Sequence, residues 1–335
     1  MTLRVALVGA GRIAQEAHLP AWSARPDAVI RAIIDSNRDA ARASATKYGI
    51  GLWEGDLSSV IGDDQIDAVD ICSPASTHAA IAIACMRAGK HVLIEKPVAL
   101  TMKELDDVVR AAAETGLTAM VAENWMYSYA VHTTIQAVQS GRIGTVRVLE
   151  AVHESPFWID RSGQPSADAD NLGYMTAAGA HTLHVARKLV GDLEELCAFS
   201  TDRAQLTPLK GDREMALSGR SQAGALVSIV CAGQSLHLGE RRLWFRLIGS
   251  RGVAEFDVWG GWSEITSAGE LVRYRREPAD RGFEGEIAEF VRAISEHSPP
   301  ATDVRDYRYT LGTLLAVYSS AMSGELVQVR RHMRG

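Results

Sequence analysis

The chain has 335 residues, a length that suits two domains, and its 47% hydrophobic and 23% charged residues are those of an ordinary globular protein. That balance excludes a disordered, collagen-like or coiled-coil chain. The formal net charge of −6 argues against a nucleic-acid partner, which calls for a basic field; the one basic cluster, Arg330, Arg331 and Arg334, reads as a solvated terminus.

In chain order, short apolar runs alternate with amphipathic helical patterns as far as Ala122. Strands are expected at Leu3–Val8, Val29–Ile34, Ala68–Ile71, His91–Ile94 and Thr118–Val121, with helices at Arg12–Ser23, Asp39–Lys47, Ser76–Ala88 and Met102–Glu114. Buried strands alternating with helices predict an α/β domain, a parallel sheet covered on both faces, over residues 1–122. The pattern then changes. Helices are expected at Tyr129–Ser140 and Met175–Val190, and β-runs at Val146–Val152, Met215–Gly219, Ala225–Cys231, Leu243–Ile248, Val253–Val258 and Leu271–Arg275. Gly224, Gly252 and Gly269 mark the expected reversals, and two closing helices, Phe283–Glu296 and Tyr307–Ser323, flank Ser298-Pro299-Pro300. Residues 123–335 therefore read as an α+β domain on a large, mostly antiparallel sheet.

Cys72, Cys85, Cys197 and Cys231 form no CxxC pair, so no metal site or disulfide framework is expected. No apolar run reaches the ~18 residues of a membrane span, and the start Met1-Thr2-Leu3-Arg4 lacks the pattern of a signal peptide. A cytoplasmic protein with no membrane partner is expected.

Gly9-Ala10-Gly11-Arg12-Ile13-Ala14 follows the first strand and opens a helix, the Rossmann fingerprint in its Ala-ending form. Gly9 permits the tight turn, Gly11 lets backbone approach a pyrophosphate, and Ala14 allows close helix–strand packing. The helix start then offers amides and partial positive charge to phosphate. Asp35-Ser36 ends the second strand, where a carboxylate meets the ribose hydroxyls and favours NAD; Arg38 leaves NADP open. Ser73-Pro74 and His78 lie at the next carboxyl edge of the sheet, where ligands of such folds bind. Glu95-Lys96-Pro97 ends a further strand. Read from the residues alone, Lys96 is either a solvent-facing turn residue or a proton donor and acceptor beside the cofactor.

These segments, above all Gly89-Lys90-His91-Val92 leading to Glu95-Lys96-Pro97, resemble the Gfo/Idh/MocA oxidoreductase family, and the resemblance runs through Ser140–Gly144, Gly179-Ala180-His181 and Leu314–Val327. It implies a Rossmann domain, an open-faced sheet domain that assembles a homodimer or homotetramer, and NAD(P) hydride transfer at a hydroxyl or carbonyl of a sugar, cyclitol or related polyol. It implies Lys96 as the acid/base and His181 as a substrate-orienting partner, with Glu95 and Asn124 beside the cofactor. The family's helix carries Asp-x-x-x-His; here the His is His181, but the Asp position is Ala177, and His184 stands where inositol dehydrogenases have Asp. His184 is either a substrate ligand or a packed helix histidine. Tyr127, His153 and Trp158 are further candidates for substrate contact. Two alternatives stay open: a redox-neutral enzyme that cleaves glycosides by oxidation, elimination and reduction, and a non-catalytic dinucleotide-binding regulator.

Overall fold

The apolar runs before residue 123 become six strands, β1 (Leu3–Val8), β2 (Ala28–Ile34), β3 (Leu52–Glu54), β4 (Ala68–Ile71), β5 (His91–Glu95) and β6 (Ala119–Ala122). All pair in parallel, in the order β3-β2-β1-β4-β5-β6. The computed structural model describes residues 2–156, 172–234 and 241–333. Every residue of β4 and β6 is buried, as a sheet covered on both faces requires. The helical stretch after Gly11 contains a π turn, Ala14–His18, before α1 (Leu19–Ser23); then come α2 (Arg38–Tyr48), α3 (Ser58–Ile61), α4 (Ala75–Arg87) and α5 (Met102–Thr115). The ends of α5 follow from local chemistry: Thr101 and Glu104 form a capping box, and Gly116 closes the helix in the left-handed region. Strand order reverses beside β1, so the crevice at the carboxyl ends of β1 and β4 is where this fold receives ligands.

Among the described residues the second sheet has nine strands: β7 (Val146–Pro156), β8 (Leu193–Ser200), β9 (Glu214–Ser221), β10 (Leu226–Gln234), β11 (Arg242–Gly249), β12 (Gly252–Asp257), β13 (Trp262–Ser267), β14 (Glu270–Arg275) and β15 (Val327–Gln328). Their order is β14-β13-β12-β11-β7-β10-β9-β8-β15, antiparallel throughout except where β10 runs parallel to β7. Helices α6 (Tyr129–Gln139) and α7 (Ala180–Val190) pack against this sheet. Along β10, buried Val227 and Ile229 alternate with exposed Leu226 and Val230, and on β8 Phe199 is 65% exposed. One face therefore carries apolar side chains to the surface.

Three of these strands, β8, β13 and β15, and the three-residue β3 were not expected. In β8 the register shifts between Leu193 and Glu195, which breaks the alternation a reader looks for. In β13 only Ser263 and Ile265 are buried, so the strand offers little apolar signal. Gly252 begins β12 rather than a reversal; a Cβ there would lie 2.3 Å from the Thr266 carbonyl oxygen.

The chain closes with α8 (Phe283–Ser295) and α9 (Val304–Ser323). The contacts divide it into one unit of Met1–Asn124 with Phe283–Arg308, and another of Trp125–Gly282 with Tyr309–Arg334. Phe283–Arg308, expected in the second domain, thus joins the first. Phe290 meets Trp22 edge-on at 6.2 Å, and Val121 and Thr302 exchange backbone and side-chain bonds at 2.7–2.8 Å.

Candidate active site

In the first unit the glycine loop is built against the end of β4. Gly9 has φ +101°, and a Cβ there would lie 2.5 Å from the Cys72 carbonyl, so only glycine fits. Gly11 faces open space: a Cβ there would meet nothing within 4 Å, the room a pyrophosphate approaching the backbone needs. Ala14 is fully buried, packed with Leu7, Ile33, Ala41 and Cys72, while Arg12 is exposed and Ile13 half-buried. Asp35 reaches back to this loop. Its carboxylate accepts the Ala10 amide at 2.7 Å and the Asn37 amide at 2.8 Å, and each oxygen keeps a lone pair for a further donor. Ser36 is exposed. Arg38 is turned aside to Glu54, 3.1 Å away, and lies over the Trp53 ring. Loop, helix start and Asp35 fit a dinucleotide.

At the next edge, Pro74 precedes α4 and Ser73 bonds Thr77 through its hydroxyl at 2.8 Å. His78, expected beside the cofactor, is buried, with Nε2 2.6 Å from the Ser73 carbonyl oxygen and Nδ1 2.8 Å from that of Pro97, and its tautomer selects which of the two receives the N–H. Lys96 is half-buried, and its bond to Pro97 is cis. Glu95, also expected at the cofactor, turns inward: Oε1 accepts from His18 at 3.1 Å and Oε2 from the Lys96 amide at 2.9 Å. The other nitrogen of His18 donates to Asp70 at 2.8 Å, and Asp70 also receives the Trp22 indole at 2.7 Å. Burial alone would lower the pKa of His18, but the charge and hydrogen bond of Asp70 hold it well above the usual histidine range.

Glu286 of α8 is the cluster's fourth buried acid, beside Asp70, Glu95 and Glu123. Neither of its oxygens has a hydrogen-bond partner among the described residues. Burial pushes its carboxyl well above the ordinary range; the charge of His18 pulls the other way, and the carboxylates of Glu95, Asp70 and Glu123 add to the rise. The donor atoms of His18, Asp70 and Cys72 lie within 4.8 Å of one another, a spacing a metal could use. Both His18 nitrogens already serve carboxylates, and burial pushes the Cys72 thiol up, away from the thiolate a metal would want. Hydrogen bonding accounts for the cluster.

In the second unit a π turn, Met175–Gly179, feeds α7, the helix of His181 and His184. Asp212 anchors its start, accepting the Met175 amide at 2.7 Å and the Tyr318 hydroxyl. Burial raises the Asp212 carboxyl pKa, against the pull of those two donors. Gly173 allows the approach, since a Cβ would fall 1.6 Å from Asp212 Oδ1. His181 meets the edge of Trp125 at 6.2 Å; Trp125 in turn packs on Trp259 at 4.8 Å, and the guanidinium groups of Arg241 and Arg281 lie 4.9 and 5.4 Å from the Trp259 ring. His153 is buried on Thr182 at 2.9 Å, and His184 is buried on Thr310 at 2.9 Å, which suits the packed-histidine alternative. Tyr127 is half-buried in a 3-10 turn that Asn124, itself buried, begins. Ala177 sits within the π turn. Trp158 lies outside the described residues.

Sequence reasoning missed His18, Asp212 and Glu286. Two of them carried a signal: Glu286 shares the helical stripe of Phe283, Ile287 and Phe290, and His18 that of Ala14, Ala17 and Trp22, so each is a polar group on an apolar face.

Two family models match the chain. An oxidoreductase family with an NAD-binding Rossmann fold covers residues 3–123, and the GFO/IDH/MocA C-terminal domain covers residues 131–255. The chain is 28% identical to 4-carboxy-2-hydroxymuconate-6-semialdehyde dehydrogenase of Sphingobium sp., over 90% of this chain and 93% of that one. It is 26% identical to D-apiose dehydrogenase of Paraburkholderia graminis, over 97% and 89%. Among solved structures, levoglucosan dehydrogenase in complex with NADH shares the fold, with a TM-score of 0.88 at 24% identity over 98% of this chain and 99% of that one.

Proposed function

This chain belongs to the Gfo/Idh/MocA oxidoreductase family, and from that premise we propose that it is an NAD-dependent dehydrogenase or reductase of a sugar, cyclitol or sugar derivative. The observation that carries this reading is the grouping, in one unit, of the open Gly11 loop, Asp35 and the Lys96 turn along the carboxyl ends of β1, β2 and β5. Relatives named for oxidising apiose and levoglucosan support the substrate class. Those names are of dehydrogenases, so neither the redox-neutral cleavage of glycosides nor a non-catalytic regulator is favoured.

The Gly9–Ala14 loop and helix start would hold the pyrophosphate, and Asp35 the adenosine ribose. Asp35 repels a 2′-phosphate and Arg38 is engaged by Glu54, which favours NAD over NADP. NAD, when bound, supplies the hydride acceptor. Lys96 takes the proton of the substrate hydroxyl on oxidation and returns it on reduction. For His181, its ring set against Trp125, and for Tyr127 the family membership supports contact with substrate hydroxyls. No carboxylate stands at Ala177 to share this work.

The apolar side chains on the second sheet, Phe199, Leu226 and Val230, support assembly into a homodimer or homotetramer through that face. Four free thiols suit the reducing cytoplasm. A panel of sugars and cyclitols assayed by NADH absorbance tests the function. A productive substrate should appear, and Lys96→Met should lower its turnover by about 10²–10⁴-fold with little change in NAD affinity. Unchanged turnover in that variant would remove Lys96 from the mechanism.

A further inference from the structure

Lys96 is flanked by two histidines that have no place in the chemistry proposed above. His18 bridges neighbouring strands: one nitrogen holds Asp70 at the end of β4 and the other holds Glu95 at the end of β5. Glu95 passes that grip to the turn, because its second oxygen accepts the Lys96 amide at 2.9 Å. On the far side His78, rooted in α4, lies between the Pro97 and Ser73 carbonyls, and with its proton on Nδ1 it donates to Pro97. The backbone is thus bonded at the Lys96 amide and again one residue later, with the Lys96 Cα between the two bonds.

We propose that His18, acting through the Glu95 carboxylate, and His78, acting through the Pro97 carbonyl, are positioning residues that set the Lys96 turn. The proposal rests on Lys96 being the acid/base group. Two physical arguments support it. A lysine carries its amine on a long, freely rotating stem, so the backbone from which it springs must be fixed if the amine is to meet a hydroxyl; a misplacement of about 1 Å can cost about 10²-fold in rate. Buried ionic pairs are also a poor route to stability, since apolar side chains of similar volume commonly do as well, whereas the paired groups hold a defined geometry. A solvent-facing turn needs neither histidine.

His18→Gln keeps a donor for one carboxylate but lacks the second arm of the ring, and His78→Gln likewise loses the rigid ring between the two carbonyls. Each is measured in the wild-type and the Lys96→Met backgrounds, by steady-state kinetics, NAD affinity and amide hydrogen exchange at Lys96. In the wild-type background each should lower kcat about 10–100-fold, leave substrate KM and NAD affinity within about twofold, and speed exchange of the Lys96 amide. In the Lys96→Met background the same substitutions should cost less than about twofold, because the group they position is gone. Equal losses in both backgrounds would overturn the proposal, leaving the histidines as supports of the fold. Unchanged exchange at Lys96 would overturn it as well. Faster exchange together with wild-type turnover in Lys96→Met would reject Lys96 as the acid/base group while retaining the clamp on its turn. If His18→Gln does not fold, Glu95→Gln, which leaves His18 in place and weakens the same link, takes its position in the scheme.

Discussion

His18 of the first unit and His153 and His184 of the second are buried by different means. In the first, His18 lies between two carboxylates, with Glu123 and Glu286 close enough to share the field. In the second, His153 and His184 rest on the hydroxyls of Thr182 and Thr310. A charged pair in a dry interior is held by large opposing terms, desolvation against attraction, so removing one partner exposes the whole desolvation cost of the other. A neutral bond to a hydroxyl has smaller terms on both sides. The first unit should therefore be the more fragile to substitution and the more responsive to pH.

The sharpest way to break that contrast is His18→Leu. It strands Asp70 and Glu95 without their cation and should cost about 3–5 kcal/mol, read from urea denaturation at neutral pH; a loss under about 1 kcal/mol would show that the pair is not charge-held. Glu286→Gln should act in the opposite direction and by less. Because the folded state raises the carboxyl above its ordinary 4.5, the folded chain keeps a proton that the unfolded chain releases above that pH. Stability then falls as pH rises through the window from 4.5 to the raised value, and glutamine has no proton to lose. Thermal melts should show the variant gaining on the wild type as pH rises, with a constant difference below about pH 4.5; a gap independent of pH would mean that Glu286 is ionised in the fold. The raised pKa of His18 acts with the same sign, its stabilisation present below 6.5 and lost as pH climbs through the folded value.

Smaller effects sharpen the comparison from either side. Asp35→Ala removes the carboxylate proposed to hold the ribose and should weaken NAD about tenfold, roughly 1.4 kcal/mol, while narrowing the preference over NADP; calorimetric titration with both cofactors decides this, and equal affinities in the wild type would assign Arg38 to a phosphate. Smallest of all, Thr310→Val should cost about 1 kcal/mol and leave turnover within a few-fold, as a packed His184 requires. A collapse of turnover would instead make His184 a substrate residue.

Much of the first unit was legible in the sequence because its signals are local. A buried parallel strand is a short apolar run, a Rossmann turn is a glycine spacing, and a helix end is Thr101 with Glu104 or Gly116, so β1, β2, β4 and β5, the tight turn at Gly9 and the open approach at Gly11 follow from neighbours in the chain. Strands with one exposed face were weaker: β8 hides behind a register shift and β13 behind a polar surface. What no local pattern contains is the inward turn of Glu95 and His78, or the meeting of His18, Asp70, Glu95 and Glu286 from four separated segments. A polar side chain on an apolar face announces only that it will be buried. Its partner is chosen by which strands and helices come to lie beside it, and through that choice its charge, its proton and its role are decided by the tertiary structure alone.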